Sequence, residues 1–483
     1  MKKIVEVKDL RLLYPDSNRL VLKDVTVSFH EGEKVLITGP SGGGKSTLLQ
    51  VLAGIIPHSI DVPLKAKELL LPDSWGYVFQ DPDSQFCMPY VDEEIAFVLE
   101  NLNVPYSEMK QRIQEVMSEV GLRLENIHTK IAHLSGGMKQ RLAIASVLAL
   151  HPKVLLLDEP TAMLDPEGTE QVWETVQEIS QNRTVIIVEH KLQYVLDYID
   201  RIVLLNDQGE VVADGDKDYV LKHYQQDLKR YGIWYPNAWN DYKKERKIKH
   251  SSFSQEDKPI IQLSDFKGYR GRKEAIAIEK ADVYKGECIA IRGENGAGKS
   301  TLLHSLMQLL KTTGTYRVLG ENAKKFKVVS KSMMMVFQNP EHQFVANSVF
   351  DEMAYSLKLQ CKNKKEINKK VEEMLKQFNL YHLKEQHPYH LSVGQKKRLS
   401  VASSLIANQP IILLDEPTFG QDLHNTINIL EVLEGKRSEG TTIIMVTHSE
   451  EIINQFATRV WEIKNGGLVS NSENNKVFNI AII

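Results

Sequence analysis

The chain has 483 residues, of which 42% are hydrophobic and 25% are charged, and its formal net charge is −3. This length is more than one hydrophobic core usually serves, and the composition excludes a disordered chain. The small net charge gives no general argument for nucleic acid, and no apolar run approaches the roughly 20 residues that cross a bilayer.

Two phosphate-binding loops are predicted, one in each half of the chain. GPSGGGKST (Gly39–Thr47) and GENGAGKST (Gly293–Thr301) each follow an apolar strand and open an apolar helix, as the motif G-x-x-x-x-G-K-[ST] requires. Glycines let backbone N–H groups approach phosphate oxygens, and the helix N-terminus adds the positive end of its dipole. The lysine of each loop would neutralise the β- and γ-phosphates of ATP, and the serine after it would ligate Mg²⁺.

A nine-residue phrase follows each loop, VFQDPDSQF at 78–86 and VFQNPEHQF at 336–344. After its first glutamine, each copy has an Asp or Asn that can cap a helix, then a Pro and an acidic residue that suit the first turn. We therefore expect a short helix directly after Gln80 and Gln338. Amphipathic patterns downstream predict a smaller helical subdomain in each half, with Ser107 as the N-cap of one of its helices.

The remaining motifs stand at the ends of apolar runs. VLLLDE places Asp158 at the carboxyl end of a buried strand, where ligands of parallel α/β sheets bind. Asp158 would hold Mg²⁺ through water, Glu159 would polarise the attacking water, and His190 would contact the γ-phosphate. The second half repeats these three residues as Asp415, Glu416 and His448.

The two halves are copies of one domain. LSGGMKQR (134–141) returns as LSVGQKKR (391–398), and the spacing from Ser135 to Asp158 recurs unchanged from Ser392 to Asp415. The predicted organisation is a first domain at 1–226, a linker at 227–258 and a second domain at 259–483.

In this order and spacing, the phosphate loop, Gln, LSGG, Asp-Glu and His resemble the motifs of ATP-binding cassette ATPases, over nearly the whole chain. The resemblance implies two α/β P-loop NTPase domains, each with a mainly parallel sheet core, an antiparallel β part and a helical subdomain. It also implies intramolecular pairing, in which each ATP lies between the phosphate loop of one cassette and the LSGG helix start of the other. Met138 and Val393 depart from the family's LSGGQ, which puts equal turnover of the two sites in doubt.

The motifs and the resemblance together assign the site residues. Tyr14 and Tyr269 are the expected adenine-stacking aromatics, with Phe266 as a lesser alternative. Glu159, His190, Glu416 and His448 are the predicted catalytic residues. The predicted Mg²⁺ ligands are Ser46, Gln80, Asp158, Ser300, Gln338 and Asp415. The predicted ATP contacts are Tyr14, Gly39, Ser41, Gly42, Gly43, Gly44, Lys45, Ser46, Thr47, Gln80, Ser135, Gly137, Tyr269, Gly293, Asn295, Gly296, Ala297, Gly298, Lys299, Ser300, Thr301, Gln338, Ser392 and Gly394.

The repeated Q-x-P-x-x-Q-F phrase, with VDEEIAF (91–97) and VFDEMAY (349–355) after it, resembles the ATPases of energy-coupling-factor importers, which take up vitamins and transition-metal ions. In that family the short helix lines a groove for arginine-bearing coupling helices of a multi-span membrane scaffold protein. The resemblance implies that partner, a small substrate-binding membrane protein, and a peripheral place on the cytoplasmic face of the cell membrane. Five carboxylates are expected to suit those arginines, with a charged helix start as the alternative reading: Asp92, Glu93, Glu94, Asp351 and Glu352.

Two other functions remain open at this point. A tandem-cassette protein that acts on ribosomes or nucleic acid would also lack membrane spans, but it usually needs a basic helix pair between its domains. The linker here, with Pro236 inside it, a Ser-rich end and Pro259 directly after it, matches that poorly, so no nucleic acid is expected as a partner. A fused ATPase of a sugar importer is not expected to repeat the Q-x-P-x-x-Q-F phrase.

Overall fold

The computed structural model describes residues 2–15, 19–162, 164, 166–245, 258–324, 326–360 and 363–474. They fall into two compact units, Met1–Tyr242 with Asp422–His424, and Lys243–Gln421 with Asn425–Ile483. Among the helices of these described ranges, none combines the length and apolarity needed to cross a bilayer.

The first unit contains a small antiparallel sheet and a larger, mainly parallel one. Its strands are β1 (Lys3–Leu12), β2 (Leu22–His30), β3 (Lys34–Thr38), β4 (Leu64–Lys65), β5 (Glu68–Leu70), β6 (Trp75–Val78), β7 (Val154–Asp158), β8 (Thr184–Val188), β9 (Arg201–Leu205) and β10 (Val211–Asp216). The larger sheet has the order β10-β9-β3-β8-β7-β6, with β10 antiparallel to β9 and the other neighbours parallel. In the smaller sheet, β1 pairs antiparallel with β2, β4 and β5.

Helices cover this sheet and form the predicted helical subdomain between β6 and β7. The α-helices are α1 (Lys45–Leu52), α2 (Ile55–His58), α3 (Val91–Asn101), α4 (Tyr106–Glu119), α5 (Gly136–Leu148), α6 (Pro166–Ile179), α7 (Lys217–His223), α8 (Gln225–Arg230) and α9 (Ala238–Glu245). Short 3-10 helices lie at Pro82–Ser84, Ile131–His133 and Leu192–Tyr194.

The second unit joins its antiparallel and parallel parts in one ten-stranded sheet. Its strands are β11 (Ile261–Arg270), β12 (Lys273–Val283), β13 (Cys288–Arg292), β14 (Lys311–Val318), β15 (Glu321–Asn322), β16 (Met333–Val336), β17 (Ile411–Asp415), β18 (Thr442–Val446), β19 (Arg459–Lys464) and β20 (Gly467–Glu473). Their order is β15-β14-β11-β12-β20-β19-β13-β18-β17-β16, and the five from β19 to β16 run parallel.

The second unit repeats the helix after the phosphate loop and the helices between the sixth and seventh strands, and it differs from the first unit in other helices. Its α-helices are α10 (Lys299–Leu306), α11 (Phe326–Ser332), α12 (Val349–Leu359), α13 (Lys364–Gln377), α14 (Val393–Leu405), α15 (Leu423–Ser438) and α16 (Glu450–Phe456). Short 3-10 helices lie at Pro340–His342, Tyr381–Leu383 and Pro388–His390.

The central strands explain why the motif residues converge. All five residues of β7, β8, β17 and β18 are buried, as expected of parallel strands covered on both faces. In each unit, the strand before the phosphate loop pairs in parallel with the strand that ends before the motif histidine, and that strand pairs with the one that ends in the motif aspartate. Residues at the carboxyl ends of these strands therefore share one edge of the sheet.

The first unit extends beyond the predicted domain boundary at residue 226. Leu228, Ile233 and Tyr235 are buried, and α8 and α9 occupy much of the segment predicted as linker. Burial of these apolar side chains ties the segment to the first unit, so the linker starts later than residue 227. Residues 246–257 of the predicted linker and residues 475–483 of the tail lie outside the described residues.

The predicted N-cap of α4 is wrong by two positions. The helix begins at Tyr106, with Pro105 at the cap position, and it has no side-chain cap. Because the proline ring already fixes a backbone angle that suits a helix start, the helix begins before Ser107 can cap it.

Candidate functional site

The first phosphate loop ends in a glycine at the start of α1. Gly44 has a φ of 84°, and a Cβ there would lie 2.7 Å from the carbonyl oxygen of Val21. Lys45 follows, and its Nζ donates to the carbonyl oxygens of Gly39 at 3.0 Å and Pro40 at 2.9 Å. Burial lowers the pKa of Lys45, an effect that nearby carboxylates oppose. The loop therefore folds around a buried cation.

The second phosphate loop has the same construction. Gly298 has a φ of 108° at the start of α10, and a Cβ there would lie 2.7 Å from Cδ1 of Ile276. Lys299 donates to the carbonyl oxygens of Gly293 at 2.7 Å and Glu294 at 2.9 Å. A lysine held by loop carbonyls is thus present in both units.

The hydroxyl and carboxylate predicted to ligate Mg²⁺ meet in each unit. Ser46 Oγ donates to Asp158 Oδ1 at 2.8 Å, and Tyr77 OH donates to Asp158 Oδ2 at 2.8 Å. In the second unit, Ser300 hydrogen-bonds the carboxylate of Asp415. Burial raises the pKa of both aspartates, and these hydrogen bonds oppose the rise. A set of hard oxygen donors at a phosphate loop fits Mg²⁺, which prefers such ligands.

The glutamate of the first unit lies between two polar side chains. Glu159 has a φ of 45°, a region that non-glycine residues rarely occupy. Gln80 Nε2 donates to its Oε2 at 2.9 Å, and His190 Nε2 lies 3.0 Å from its Oε1. Burial alone would raise the pKa of Glu159, but His190 and Lys45 outweigh it and the net direction is down. The ionised form, which is the form that accepts a proton, is favoured.

The second unit repeats the glutamate–histidine pair. Glu416 has a φ of 50°, and its Oε1 lies 3.4 Å from Nε2 of His448. The structure therefore brings a phosphate-loop lysine and serine, an Asp-Glu pair and a histidine together in each unit, as the motifs predict.

The LSGG segment of the first half and the LSVG segment of the second, called the signature here, stand at the starts of α5 and α14, the two signature helices. Ser135 caps α5 by accepting from the N–H of Met138 at 3.3 Å. Ser392 caps α14 and forms a full capping box, because Gln395 also accepts from the backbone N–H of Ser392 at 2.9 Å. Met138 has no side-chain amide to complete such a box, and Val393 is 44% exposed at the start of α14. The two departures from LSGGQ thus change the helix start in different ways.

The two predicted adenine-stacking tyrosines have different surroundings. Tyr14 OH lies 3.3 Å from Oγ1 of Thr47, the last residue of the first phosphate loop. Tyr269 OH lies 3.4 Å from Oγ1 of Thr313, on a neighbouring strand. Phe266 is fully buried in the core, so it is not available to stack on a nucleotide.

The short helix predicted after each Gln is confirmed, as a 3-10 helix. Asp81 caps the first by accepting from the N–H of Asp83, and Asn339 caps the second by accepting from the N–H of Glu341. The proline between them occupies the first turn in both. Capping and proline together explain why a helix starts at this point.

Each short helix is fastened to the signature helix of its own unit. In the first, Lys139 on α5 pairs with Asp83 at 2.7 Å, and Gln85 Nε2 donates to the carbonyl oxygen of Ala143 at 2.9 Å. In the second, Lys396 on α14 pairs with Glu341 at 2.6 Å, and Gln343 Nε2 donates to backbone and hydroxyl oxygens of three serines on α14, Ser400, Ser403 and Ser404. The repeated phrase therefore also connects two elements within each unit. We call these contacts between the short helix and the signature helix the brace.

Two of the five carboxylates expected to face partner arginines instead accept hydrogen bonds from the backbone of their own unit. Glu94 is buried and accepts from the N–H groups of Cys87 and Met88, both at 2.8 Å. Glu352 is likewise buried and accepts from the N–H groups of Val345 and Ala346, both at 2.9 Å. The expectation is wrong for this pair, because both glutamates are buried and Oε2 of each already accepts from two backbone N–H groups.

The three other carboxylates lie nearer the surface. Asp92 lies 3.1 Å from Nδ1 of His128, and Asp351 pairs with Lys358 at 2.8 Å. Glu93 is half-buried.

Two buried titratable residues beside these sites have no role that a sequence motif predicts. Glu189 accepts from Thr161 Oγ1 and from the backbone N–H of His190, both at 2.8 Å, and its counterpart in the second half is Thr447. Burial raises the pKa of Glu189. Lys397 is buried on α14, where the first half has Gln140. An alignment of the two halves with each other would have exposed both differences.

Comparison with known proteins places both units in one family. The profile of the family described as "ABC transporter" matches residues 22–162 and 279–419, one segment in each unit. A protein of Bacillus subtilis (strain 168) described as "Putative HMP/thiamine import ATP-binding protein YkoD" is 33% identical over 98% of this chain and 92% of its own length. A "Putative ABC transporter ATP-binding protein" of Sulfurisphaera tokodaii is 35% identical over 96% of this chain and 97% of its own length.

A solved structure supports the tandem fold over the full length. It is the crystal structure of the complex of archaeal ribosomal stalk protein aP1 and archaeal ribosome recycling factor aABCE1, which matches 98% of this chain and 92% of its own with a TM-score of 0.65. Sequence identity is 19%, so this likeness concerns the fold alone.

Proposed function

The chain belongs to the ABC transporter family of ATPases, with two cassettes in one polypeptide, and we propose that it powers an energy-coupling-factor-type importer. In this proposal it hydrolyses ATP on the cytoplasmic face of the cell membrane, where it is a peripheral subunit. Separate membrane subunits, a multi-span scaffold and a small substrate-binding protein, carry a vitamin or a transition-metal ion.

The proposed chemistry is transfer of the γ-phosphoryl group of ATP to water. Glu159 and Glu416 accept a proton from the attacking water, and His190 and His448 hold each glutamate while contacting the γ-phosphate. The geometry supports these roles, since each glutamate lies within 3.4 Å of its histidine in its own unit. Lys45 and Lys299 turn from the loop carbonyls to the phosphates of ATP.

Mg²⁺ is the proposed metal, and the proposed ligands are Ser46, Gln80 and Asp158 in the first unit and Ser300, Gln338 and Asp415 in the second. When bound, it neutralises charge on the phosphates of ATP. The chain's own residues orient the nucleotide and the water around it.

One observation carries the importer role: the braced short helix after Gln80 and its copy after Gln338. Each follows the Gln loop, the name used here for the residues next to Gln80 or Gln338, and is connected to the signature helix by an ion pair and a glutamine hydrogen bond. A force applied there by a membrane partner would reach both elements that contact ATP in the proposed scheme. The presence of one brace in each cassette suits two coupling helices.

The name of the Bacillus subtilis relative agrees with uptake of a vitamin-related compound by that protein. Transferred to this chain, it supports an importer over a ribosome-acting ATPase. The exposed apolar side chains next to the braces, Phe79, Val345 and Tyr355, give the partner helices a surface to pack on.

Purification from membranes tests the proposal. The tagged chain should retain a multi-span membrane protein and a small hydrophobic one after gentle solubilisation of host membranes. The double variant Cys87→Asp and Val345→Asp should lose most of this retention, because it puts charge on the residue that follows Q-F in both cassettes, and both residues are exposed.

Val469→Asp is the matched control, since Val469 is also an exposed valine and lies on β20 of the second unit. It should leave retention unchanged. Co-sedimentation with ribosomes in place of membrane proteins, or full retention by the double variant, would refute the importer role.

A further inference from the structure

The signature helix of the second unit carries a buried lysine that the first unit lacks. The side chain of Lys397 lies on α14, and the residue is 3% exposed. Its Nζ donates to three backbone carbonyl oxygens, those of Phe337, Gln338 and Asp415, each at 3.1 Å. One ammonium group therefore fastens three elements together: the signature helix, the Gln loop and the end of β17.

Three donors meet three acceptors at this point. A protonated amine has three N–H groups and no acceptor, so each N–H of Lys397 has a carbonyl partner. Burial lowers the pKa of Lys397 to about 8, with Asp415 and Glu416 opposing the change. Three carbonyl acceptors around Nζ match the three donors of the protonated amine, and hydrogen bonds from a charged donor are charge-assisted.

The counterpart in the first unit makes no comparable tie. Gln140 occupies the same position of LSGGMKQR, and it is 1% exposed. Its Nε2 has no hydrogen-bond partner within the described part of the chain. The first Gln loop is thus linked to its signature helix through Gln85 and the Asp83–Lys139 pair, whereas the second has equivalent links and Lys397 in addition.

We propose that Lys397 is a positioning residue of the second ATP site, which fixes Gln338 relative to Asp415 and the signature helix, and that the first site works without this tie. The Gln loop of the second cassette is consequently the more rigid of the two, and the two ATP sites are inequivalent. The inference rests on the proposed ATP sites and is independent of the importer role.

Hydrogen exchange of the nucleotide-free chain, read by mass spectrometry, tests the tie without any catalytic activity. Lys397→Gln gives the second cassette the residue of the first, and peptides that cover 336–343 should then exchange about tenfold faster. Peptides that cover 78–85 should not change. The reciprocal variant Gln140→Lys should slow exchange of 78–85 and leave 336–343 as it was.

Kinetics separate positioning from a merely structural role. In a Glu159→Gln background, where the second site alone is expected to turn over, Lys397→Gln should lower kcat about tenfold and change KM for ATP less than twofold. Lys397→Arg keeps the charge and several donors, so it should restore part of the loss.

The outcomes are distinguishable. Unchanged exchange at 336–343 together with unchanged kcat in Lys397→Gln overturns the proposal. Faster exchange throughout the second unit shows a structural residue and overturns it as well. If Lys397→Gln does not fold, Gln140→Lys decides, because absence of slowing at 78–85 would contradict the tie. Lack of ATPase activity in the unaltered chain would count against the proposed ATP sites, while the exchange comparison would still test the tie.

Discussion

Glu159 and Glu416 share a backbone conformation that a side chain of their type seldom adopts. Their φ angles are 45° and 50°, and each follows directly on a fully buried strand that ends in aspartate. Residues held in this region cost of order 1–3 kcal/mol and persist where the surroundings fix them, often at active sites. The paired occurrence supports a functional role for both glutamates.

Replacing both glutamates tests that role. In Glu159→Gln with Glu416→Gln, the amides keep the size of the side chains but cannot take a proton from water, so ATP hydrolysis should fall by about two orders of magnitude or more. ATP binding should persist, because the phosphate-loop lysines are untouched. Hydrolysis is measured as phosphate release, and binding is measured by equilibrium titration with a fluorescent ATP analogue. Full activity in the double variant would exclude both residues as the base.

Local motifs predicted the residues that meet at the sites, yet they did not predict which neighbours complete them. The phosphate loop, the Asp-Glu pair and the histidine are short patterns with a mechanism attached, so Lys45, Asp158 and His190 could be found from sequence. Tyr77 and Lys397 have no such pattern. Their contacts depend on strand register and on the packing of the signature helix, which become visible in three dimensions.

At the scale of single elements, the loop between the 3-10 helix and α3 is held by one carboxylate, and the same is true of the loop before α12. Glu94 accepts two backbone N–H groups in the first unit, and Glu352 does so in the second. The four N–H groups are partly buried, and a donor out of contact with water that loses its acceptor costs roughly 1–3 kcal/mol. The sequence predicts that both glutamates face a partner protein, whereas in the structure they accept the hydrogen bonds that hold these loops.

Glu94→Ala and Glu352→Ala should each lower the free energy of unfolding by roughly 1–3 kcal/mol, because two partly buried N–H groups are left without their acceptor. Urea unfolding followed by circular dichroism gives the comparison. Glu93→Ala is the matched control, since Glu93 is the neighbouring glutamate on α3 and is half-buried, and it should cost less than about 0.5 kcal/mol. Equal effects at Glu93 and Glu94 would contradict the bracing role.

Local sequence predicts the start of some helices of this protein and leaves the start of others undecided. The Asp-Pro-Asp and Asn-Pro-Glu sequences predicted the 3-10 helices after Gln80 and Gln338 because capping residue, proline and acidic residue agree on one position. At α4 two signals compete, since Pro105 and Ser107 both suit a helix start. Local propensity does not choose between them, and the helix begins after Pro105.

At the scale of the whole molecule, duplication made the fold class predictable, because every motif could be checked against its copy. The unit boundary was less predictable. The segment after residue 226 has a charged and aromatic composition, which predicts a linker. Its buried Leu228 and Tyr235, however, belong to the first unit. Composition does not reveal which apolar residues of such a segment find a surface to cover.

Cross-linking tests whether the two cassettes pair around ATP. If ATP lies between the phosphate loop of one cassette and the signature helix of the other, a cysteine at Ser41 should cross-link to one at Val393. Asn295 and Gly136 are the equivalent pair for the other site. The reason is that the N–H groups at the start of α14 would meet the γ-phosphate held at Gly39–Thr47. Cross-linking should rise with ATP in the hydrolysis-deficient double variant and stay low with ADP.

The native cysteines set the design of this experiment. Cys288 can remain, because burial raises the pKa of its thiol to about 12 and leaves it almost without thiolate at neutral pH. Cys87 is exposed and is replaced by serine, as is Cys361, which lies outside the described residues. The within-cassette combination of Ser41 and Gly136 is the control, and it should not cross-link. The pairing would be contradicted if only the control cross-linked, or if no pair cross-linked in the presence of ATP. Two shared ATP sites depend on this pairing.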